Sequence, residues 1–139
     1  MREIKFTIEG EPKGKGRPRF TRGGHAYTPK ETVKYEEWVR ASYLKAGKVY
    51  FANEELGMEI KAYYKIPKST SKKKRAEMVH TRPTKKPDYD NVAKIVTDAL
   101  NEVAYADDKQ IVEAKQSKLW AIDDKPRVEV RIYVLECEI

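Results

Sequence analysis

Residues 86–94 read Lys86-Pro87-Asp88-Tyr89-Asp90-Asn91-Val92-Ala93-Lys94, and the chain continues through Asp98-Ala99-Leu100-Asn101 to Asp107-Asp108-Lys109-Gln110-Ile111. Apolar residues recur here at helical spacing and form one stripe: Val92, Ile95, Val96, Ala99, Leu100 and Val103. This spacing predicts a helix over residues 91–103 with its apolar face on a core. Lys94 and Asp98 then fall on the opposite, polar face.

Two aspartates stand at the start of this helix. Asp90 occupies the position of an N-cap, where its carboxylate can accept a hydrogen bond from a free backbone N–H. Asp88 lies two residues earlier, in a segment that Pro87 keeps extended, so both carboxylates point the same way. The sequence therefore predicts an Asp-x-Asp pair at the helix start. Lys94 lies one turn inward, and the pair Asp107-Asp108 follows beyond the helix.

Composition limits the class of protein. The chain has 139 residues, a net charge of +7 and a sequence pI near 9.3. This length suits a single domain over residues 1–139, and the basic balance favours nucleic acid as a partner, with an acidic protein or simple solubility as alternatives. The sequence carries no apolar run of membrane-spanning length and no signal peptide pattern. One cysteine, Cys137, excludes an internal disulfide, so we expect a cytoplasmic protein.

Patterning outside the central helix predicts an α+β domain. Alternating apolar residues predict strands at four places: residues 3–9, 56–66, 110–122 and 128–134. We expect the last two to pair as a hairpin with a long loop. A capping box between Thr28 and Glu31 predicts a helix over 29–46, and a shorter helix is expected over 71–78. Together these elements predict a mixed sheet of about five strands packed against two main helices.

Two basic segments are candidate DNA contacts. A glycine-rich loop over residues 10–24 carries the first set: Lys13, Lys15, Arg17, Arg19 and Arg22. The second set lies within residues 68–86: Lys72, Lys73, Lys74, Lys85 and Lys86. The alternative for each segment is an ordinary solvated face. The loop is not a Walker A motif, because Gly10 and Gly14 are one residue too close, so we expect no nucleotide cofactor.

The acidic residues suit a hard divalent cation. Carboxylates that are held close together repel one another, and a cation removes that conflict. Mg²⁺ prefers carboxylate oxygen and is commonly bound by one or two carboxylates together with substrate phosphates. Such an ion promotes phosphodiester hydrolysis, in which a lysine can offset the developing charge. Asp88, Asp90 and either Asp107 or Asp108 would be the metal ligands, and Lys94 would be the cationic helper.

Each of these residues also has an ordinary structural explanation. Asp90 can be an N-cap alone, and Asp107-Asp108 can form a simple turn. Lys94 and Asp98 can form a solvent-exposed ion pair of little energetic value. The combined pattern is therefore more specific than any one of its members.

The combined pattern resembles the RusA family of Holliday junction resolvases. The matching central residues are Lys86-Pro87-Asp88-x-Asp90-Asn91-x-x-Lys94-x-x-x-Asp98-Ala99-Leu100-Asn101 and Asp107-Asp108-x-Gln110-Ile111. Gly10-x-Pro12, Gly16-Arg17-Pro18-Arg19 and Tyr27-Thr28-Pro29 are similar to the opening of the family. By position, the resemblance implies that Asp88, Asp90 and Asp108 are the catalytic, metal-binding carboxylates and that Lys94 is the essential lysine.

The resemblance also implies an activity. We expect a RusA-like endonuclease that depends on Mg²⁺, with Mn²⁺ as a substitute, and that acts as a homodimer. It would nick two strands of a four-way DNA junction symmetrically and would come from a bacterium or a phage. The rival hypothesis is a non-catalytic protein that binds junction or duplex DNA and whose carboxylates are only helix caps.

Overall fold

The computed structural model describes residues 2–135, and Cys137 lies outside them. The elements in chain order are β1 (Glu3–Glu9), β2 (Arg19–Phe20), β3 (Ala26–Tyr27), α1 (Lys30–Ala46), β4 (Leu56–Tyr64), α2 (Lys72–Met78), α3 (Tyr89–Leu100), β5 (Ile111–Trp120) and β6 (Arg127–Val134). A single 3₁₀ turn, Asp108–Gln110, precedes β5. Within residues 2–135 no helix combines the length and the apolar character that crossing a membrane requires.

The main sheet confirms the predicted α+β class. It has four strands rather than about five, in the order β1-β6-β4-β5. β6 pairs antiparallel with both β1 and β4, whereas β4 and β5 run parallel. The two short strands β2 and β3 form a separate hairpin inside the basic loop. Alternate residues of β1, namely Ile4, Phe6 and Ile8, point into the core as the sequence predicts.

The predicted hairpin between the last two strands is wrong. β4 lies between β5 and β6 and pairs with both. β4 is more buried than β5, since Met58, Ile60 and Ala62 of β4 are each at most 3% exposed. β5 has exposed side chains over residues 112–115, which suits its place at the edge of the sheet. Burial therefore gives β4 the central position, although β5 and β6 are adjacent in sequence.

Helix α3 carries the predicted apolar stripe. Val92, Ile95, Val96, Ala99 and Leu100 are each at most 1% exposed and form part of the core. The helix ends at Leu100, and Val103 packs against the core from the turn that follows.

The helix begins two residues earlier than the sequence predicts. The N-cap is Asp88, and Asp90 lies in the first turn, so the prediction of Asp90 as N-cap is wrong. Both residues are good N-caps by type. Tyr64 anchors the carbonyl of Pro87 immediately before Asp88 and so fixes where the chain enters the helix.

Helix α1 packs against α3 and β1. The predicted capping box between Thr28 and Glu31 is wrong, because the N-cap is Pro29, whose side chain has no hydrogen-bonding group. Tyr35 and Tyr43 are core residues. Trp38 is 47% exposed, and its indole N–H donates a hydrogen bond to the carbonyl of Glu9.

A pair of neighbouring substitutions tests the two faces of α3. Ile95 is fully buried, so Ile95→Ala should lower the free energy of unfolding by about 2–5 kcal/mol, because it leaves a cavity in the core. Lys94 is 62% exposed, so Lys94→Ala should change it by less than about 0.5 kcal/mol. Urea denaturation measures both. An equal loss in Lys94→Ala would mean that this lysine has a structural role.

Candidate active site

The first turn of α3 presents Asp88 and Asp90 to solvent. Asp88 is exposed and has an extended backbone, with φ −69° and ψ 155°. The Tyr64 hydroxyl of β4 donates a hydrogen bond to the Pro87 carbonyl. Burial, and then the nearby charges of Asp88 and Glu11, raise the pKa of Tyr64 to about 12. Tyr64 therefore stays protonated and ties the sheet to the segment that carries Asp88.

The second acidic segment is held by two amide side chains. The Asp108 backbone N–H donates to Asn101 Oδ1 at 2.9 Å. Gln110 Oε1 accepts hydrogen bonds from the N–H groups of Ala106 and Asp107, at 2.9 and 3.1 Å. Gln110 Nε2 donates to the carbonyls of Phe51 and Glu54 at 3.0 and 3.2 Å. Asn101 and Gln110 thus fix the backbone on both sides of Asp108.

Asp107 and Asp108 have different environments. The Asp107 carboxylate caps the 3₁₀ turn and accepts a hydrogen bond from the Lys109 N–H at 2.9 Å, which lowers the pKa of Asp107. Burial, the hydrogen-bonded contact with Asp107, and the charges of Asp107 and Asp98 raise the pKa of Asp108. Asp108 is therefore the carboxylate whose negative charge is poorly compensated, and a cation would relieve that repulsion.

An open depression of about 370 Å³ joins α3 to the second acidic segment. Its lining includes Asp90, Lys94, Asp98 and Asp108, with Tyr89 at the helix start. Lys94 Nζ lies 3.9 Å from Asp98 Oδ2, one helical turn away. We call this depression the acidic depression. It brings three of the four predicted catalytic residues, Asp90, Lys94 and Asp108, to one surface.

A second depression of about 630 Å³ lies beside the start of the same helix. Its lining includes Lys13, Arg17, Lys86, Asp88 and Asn91. We call it the basic depression. The fourth predicted catalytic residue, Asp88, therefore shares this lining with four cations, the three just named and Lys15, whereas Asp90 faces the acidic depression. The Asp-x-Asp pair lies between the two surfaces.

The remaining predicted DNA contacts fall into separate groups. Six of them line neither the basic nor the acidic depression: Arg19, Arg22, Lys72, Lys73, Lys74 and Lys85. Arg19 and Arg22 belong to the exposed β2–β3 hairpin, and residues 72–74 form the exposed first turn of α2. Lys85 Nζ lies 5.5 Å from the centre of the Trp120 ring. Lys15 borders the basic depression, but its ammonium group lies 3.4 Å from Asp98 Oδ2.

The carboxylates of this region fit the chemistry of a hard cation. Carboxylate oxygens are the donors that Mg²⁺ prefers. Burial, and then the contact with Asp107 and the charges of Asp107 and Asp98, raise the pKa of Asp108, and a nearby cation would favour its charged form. Among residues 2–135, however, no three His, Cys, Asp or Glu side chains are gathered closely enough to hold an ion by themselves. An ion here would therefore take one or two protein carboxylates and complete its shell with water and DNA phosphate. The ligand set Asp88, Asp90 and Asp108 stays a prediction.

Sequence reasoning missed the residues that position this site. Asn101 and Gln110 are part of the quoted motif, but the sequence gives no indication of which backbone groups they bind. Tyr64 fits the alternating core pattern of β4, and this pattern gives no indication of the hydrogen-bond partner of its hydroxyl group. One signal in the sequence could have identified such positioning residues. A residue that the pattern predicts to be buried but that carries a polar group needs a hydrogen-bond partner.

Two comparisons with known proteins cover the region that contains this site. A family model described as Endodeoxyribonuclease RusA matches residues 9–133, which include both depressions and the segments that hold them. The uncharacterized protein YqaN of Bacillus subtilis (strain 168) is 40% identical to this chain over 136 residues. The match covers 93% of this chain and 94% of YqaN.

The role of Asn101 can be tested without a substrate. Asn101→Ala removes the acceptor of the Asp108 N–H, so we expect about 1 kcal/mol less protection of that amide, or roughly fivefold faster hydrogen exchange. Nuclear magnetic resonance of the exchanging amides measures the rate. Asn53→Ala, at an exposed position, is the matched control. Unchanged exchange of the Asp108 amide in Asn101→Ala would contradict this role.

Proposed function

The chain belongs to the RusA family of endodeoxyribonucleases, and we propose that it resolves four-way DNA junctions as a homodimer, by paired symmetric nicks that depend on Mg²⁺. Family membership itself makes the chain an enzyme that hydrolyses DNA and acts on Holliday junctions. The dimer, the metal ion and the symmetric cuts are the parts that we propose. The expected compartment is the cytoplasm of a bacterial host, where replicating and recombining DNA forms such junctions.

One observation carries the proposal: an acidic surface and a basic surface meet at the start of one helix. The acidic depression offers Asp90 and Asp108, and the basic depression offers Lys13, Arg17 and Lys86. A DNA backbone that lies along the basic depression would bring its next phosphates to the acidic one. Such an approach is unfavourable for two anionic groups unless a cation lies between them. The pairing of surfaces therefore suits a polyanion that is cut at a cation-bridged phosphate.

Each residue then has a role. Asp88, Asp90 and Asp108 would hold Mg²⁺, or Mn²⁺ as a substitute, and we favour Asp108 over Asp107 because Asp107 already caps the 3₁₀ turn. The bound ion would supply activation of the attacking water and neutralisation of charge at the phosphate. Lys94 is exposed on the same surface, where its ammonium can offset the negative charge that develops on the phosphate oxygens.

The basic residues would orient the DNA. Lys13, Arg17 and Lys86 can contact phosphates without reading base sequence, so selectivity would come from the shape of the junction. We assign the outer contacts to six further cations of the two basic segments: Arg19, Arg22, Lys72, Lys73, Lys74 and Lys85. A homodimer fits the symmetry of the substrate, since a four-way junction offers two equivalent strands and each protomer would contribute one acidic site.

A cleavage experiment separates the nuclease from a silent DNA-binding protein. Asp88→Asn and Asp108→Asn should each slow junction cleavage by at least about 100-fold, because each removes charge from the cation site. Junction binding in the absence of Mg²⁺ should persist or tighten, because a negative charge that faces phosphate is lost. The measurement is nicking of a synthetic four-way junction, with linear duplex beside it, in Mg²⁺ or EDTA.

The matched control is Asp107→Asn, in which asparagine can still cap the 3₁₀ turn. It should cleave junctions at close to the parental rate. If Asp88→Asn and Asp108→Asn cut as fast as the parent, the assigned site is wrong. If the parent cuts no junction in Mg²⁺ or Mn²⁺ but binds it, the rival DNA-binding hypothesis holds.

A further inference from the structure

We propose that Lys15 is a positioning residue that fastens the basic loop to the acidic site, rather than a contact for DNA phosphate. This inference rests on the proposed nuclease function and assigns a different role to one of its expected DNA contacts. Lys15 belongs to the loop over residues 10–24, in which it is half-buried while the other cations are exposed. Its own ammonium lies between two carboxylates, one on α1 and one on α3.

The Lys15 side chain forms two ion pairs. Lys15 Nζ lies 3.1 Å from Glu36 Oε2 and 3.4 Å from Asp98 Oδ2. The three side chains are 21%, 13% and 26% exposed, respectively, so water screens them less than it screens a surface pair. Removing the lysine would leave two partly buried carboxylates without this partner, which is unfavourable. The ammonium is therefore committed to protein carboxylates.

The backbone on either side of Lys15 is held as well. The Lys15 N–H donates to the Asn91 carbonyl at 3.0 Å, and the Gly16 N–H donates to Thr32 Oγ1 at 3.2 Å. A Cβ added at Gly16 would lie 2.5 Å from Thr32 Oγ1. A Cβ added at Gly14 would lie 3.0 Å from side-chain carbons of Asn91 and Pro87. Both glycines let the loop lie directly against the two helices.

These contacts determine where the phosphate-binding cations lie. Lys13 and Arg17 are exposed on either side of Lys15 and border the basic depression together with Asp88. Lys15 fixes the loop to α3, the helix that carries the Asp-x-Asp pair. DNA held by Lys13 and Arg17 would therefore meet the acidic site at one fixed distance. Lys15 also compensates Asp98, which lies on the same surface as Asp108.

Substitution of Glu36 distinguishes this role from a phosphate contact. If Lys15 positions the loop, Glu36→Gln should slow single-turnover cleavage at saturating protein by about tenfold, because a misplaced substrate reacts slowly. Lys15→Met should do the same, and the double variant should be no slower than either single one. Lys15→Arg keeps the charge and should restore most of the rate. Glu37→Gln, at the exposed neighbouring position, is the matched control for Glu36→Gln.

A phosphate contact predicts the opposite pattern. Glu36→Gln would then free Lys15 for DNA, so it would tighten junction binding and leave the saturated rate unchanged. Lys15→Met would lower the slope of log affinity against log salt by about 0.9. Either a faster or an unchanged rate in Glu36→Gln, or additive losses in the double variant, would overturn the inference.

A second readout keeps the test independent of cleavage. In Lys15→Met the amides of residue 15 and Gly16 should exchange with solvent faster than in the parent, because the loop is released from Asn91 and Thr32. Thermal unfolding identifies variants that fail to fold. In the double variant Lys15→Met/Glu36→Gln, loss of the lysine does not leave a charged Glu36 without this partner. If the parent itself cuts no junction, the nuclease proposal fails. Unchanged amide exchange would still overturn the role of Lys15.

Discussion

Burial of one face of α3 against the sheet fixes the geometry of the whole acidic surface. Ile95, Val96 and Leu100 are fully buried, and each such side chain contributes about 1.5–3 kcal/mol when it is removed from water. Rotation of the helix would expose this face, so its polar face is held in one direction. Tyr64 then fixes the chain just before the helix, through the carbonyl of Pro87. The orientation of the first turn is therefore a consequence of core packing rather than of the aspartates themselves.

Opposite charges meet around this helix in a way that serves both folding and DNA binding. The carboxylates of Asp98 and Glu36 are compensated within the protein by Lys15. The carboxylate of Asp108 is not compensated in the same way. Burial, and then its contact with Asp107 and the charges of Asp107 and Asp98, raise its pKa. This difference distinguishes Asp98 and Glu36, whose carboxylates are paired within the protein, from Asp108, whose carboxylate is available to a cation. Beside them, the exposed cations of the basic depression remain available to phosphate.

The sequence predicts what depends on local patterns and fails where partners are distant. The stripe of α3 and the alternation of β1 follow from residue spacing, and the structure confirms both. The predicted hairpin of β5 and β6 is wrong because β4, which lies far earlier in the chain and is more buried than β5, lies between them. Lys15 counts as one of several loop cations in the sequence, since nothing local reveals its partner Glu36, which lies 21 residues away. The start of α3 shifts to Asp88 because a tertiary contact with Tyr64 fixes the preceding proline.

A crystal structure of the protein bound to a four-way junction in Ca²⁺ addresses the proposed chemistry at the atomic level. The proposal predicts a cation about 2.3–2.6 Å from carboxylate oxygens of the acidic surface, Asp108 among them, and from an oxygen of the phosphate that is cut. It also predicts that the neighbouring phosphates lie along Lys13 and Arg17. A junction phosphate bound at this surface with no cation in contact with Asp88, Asp90 or Asp108 would contradict the proposed mechanism.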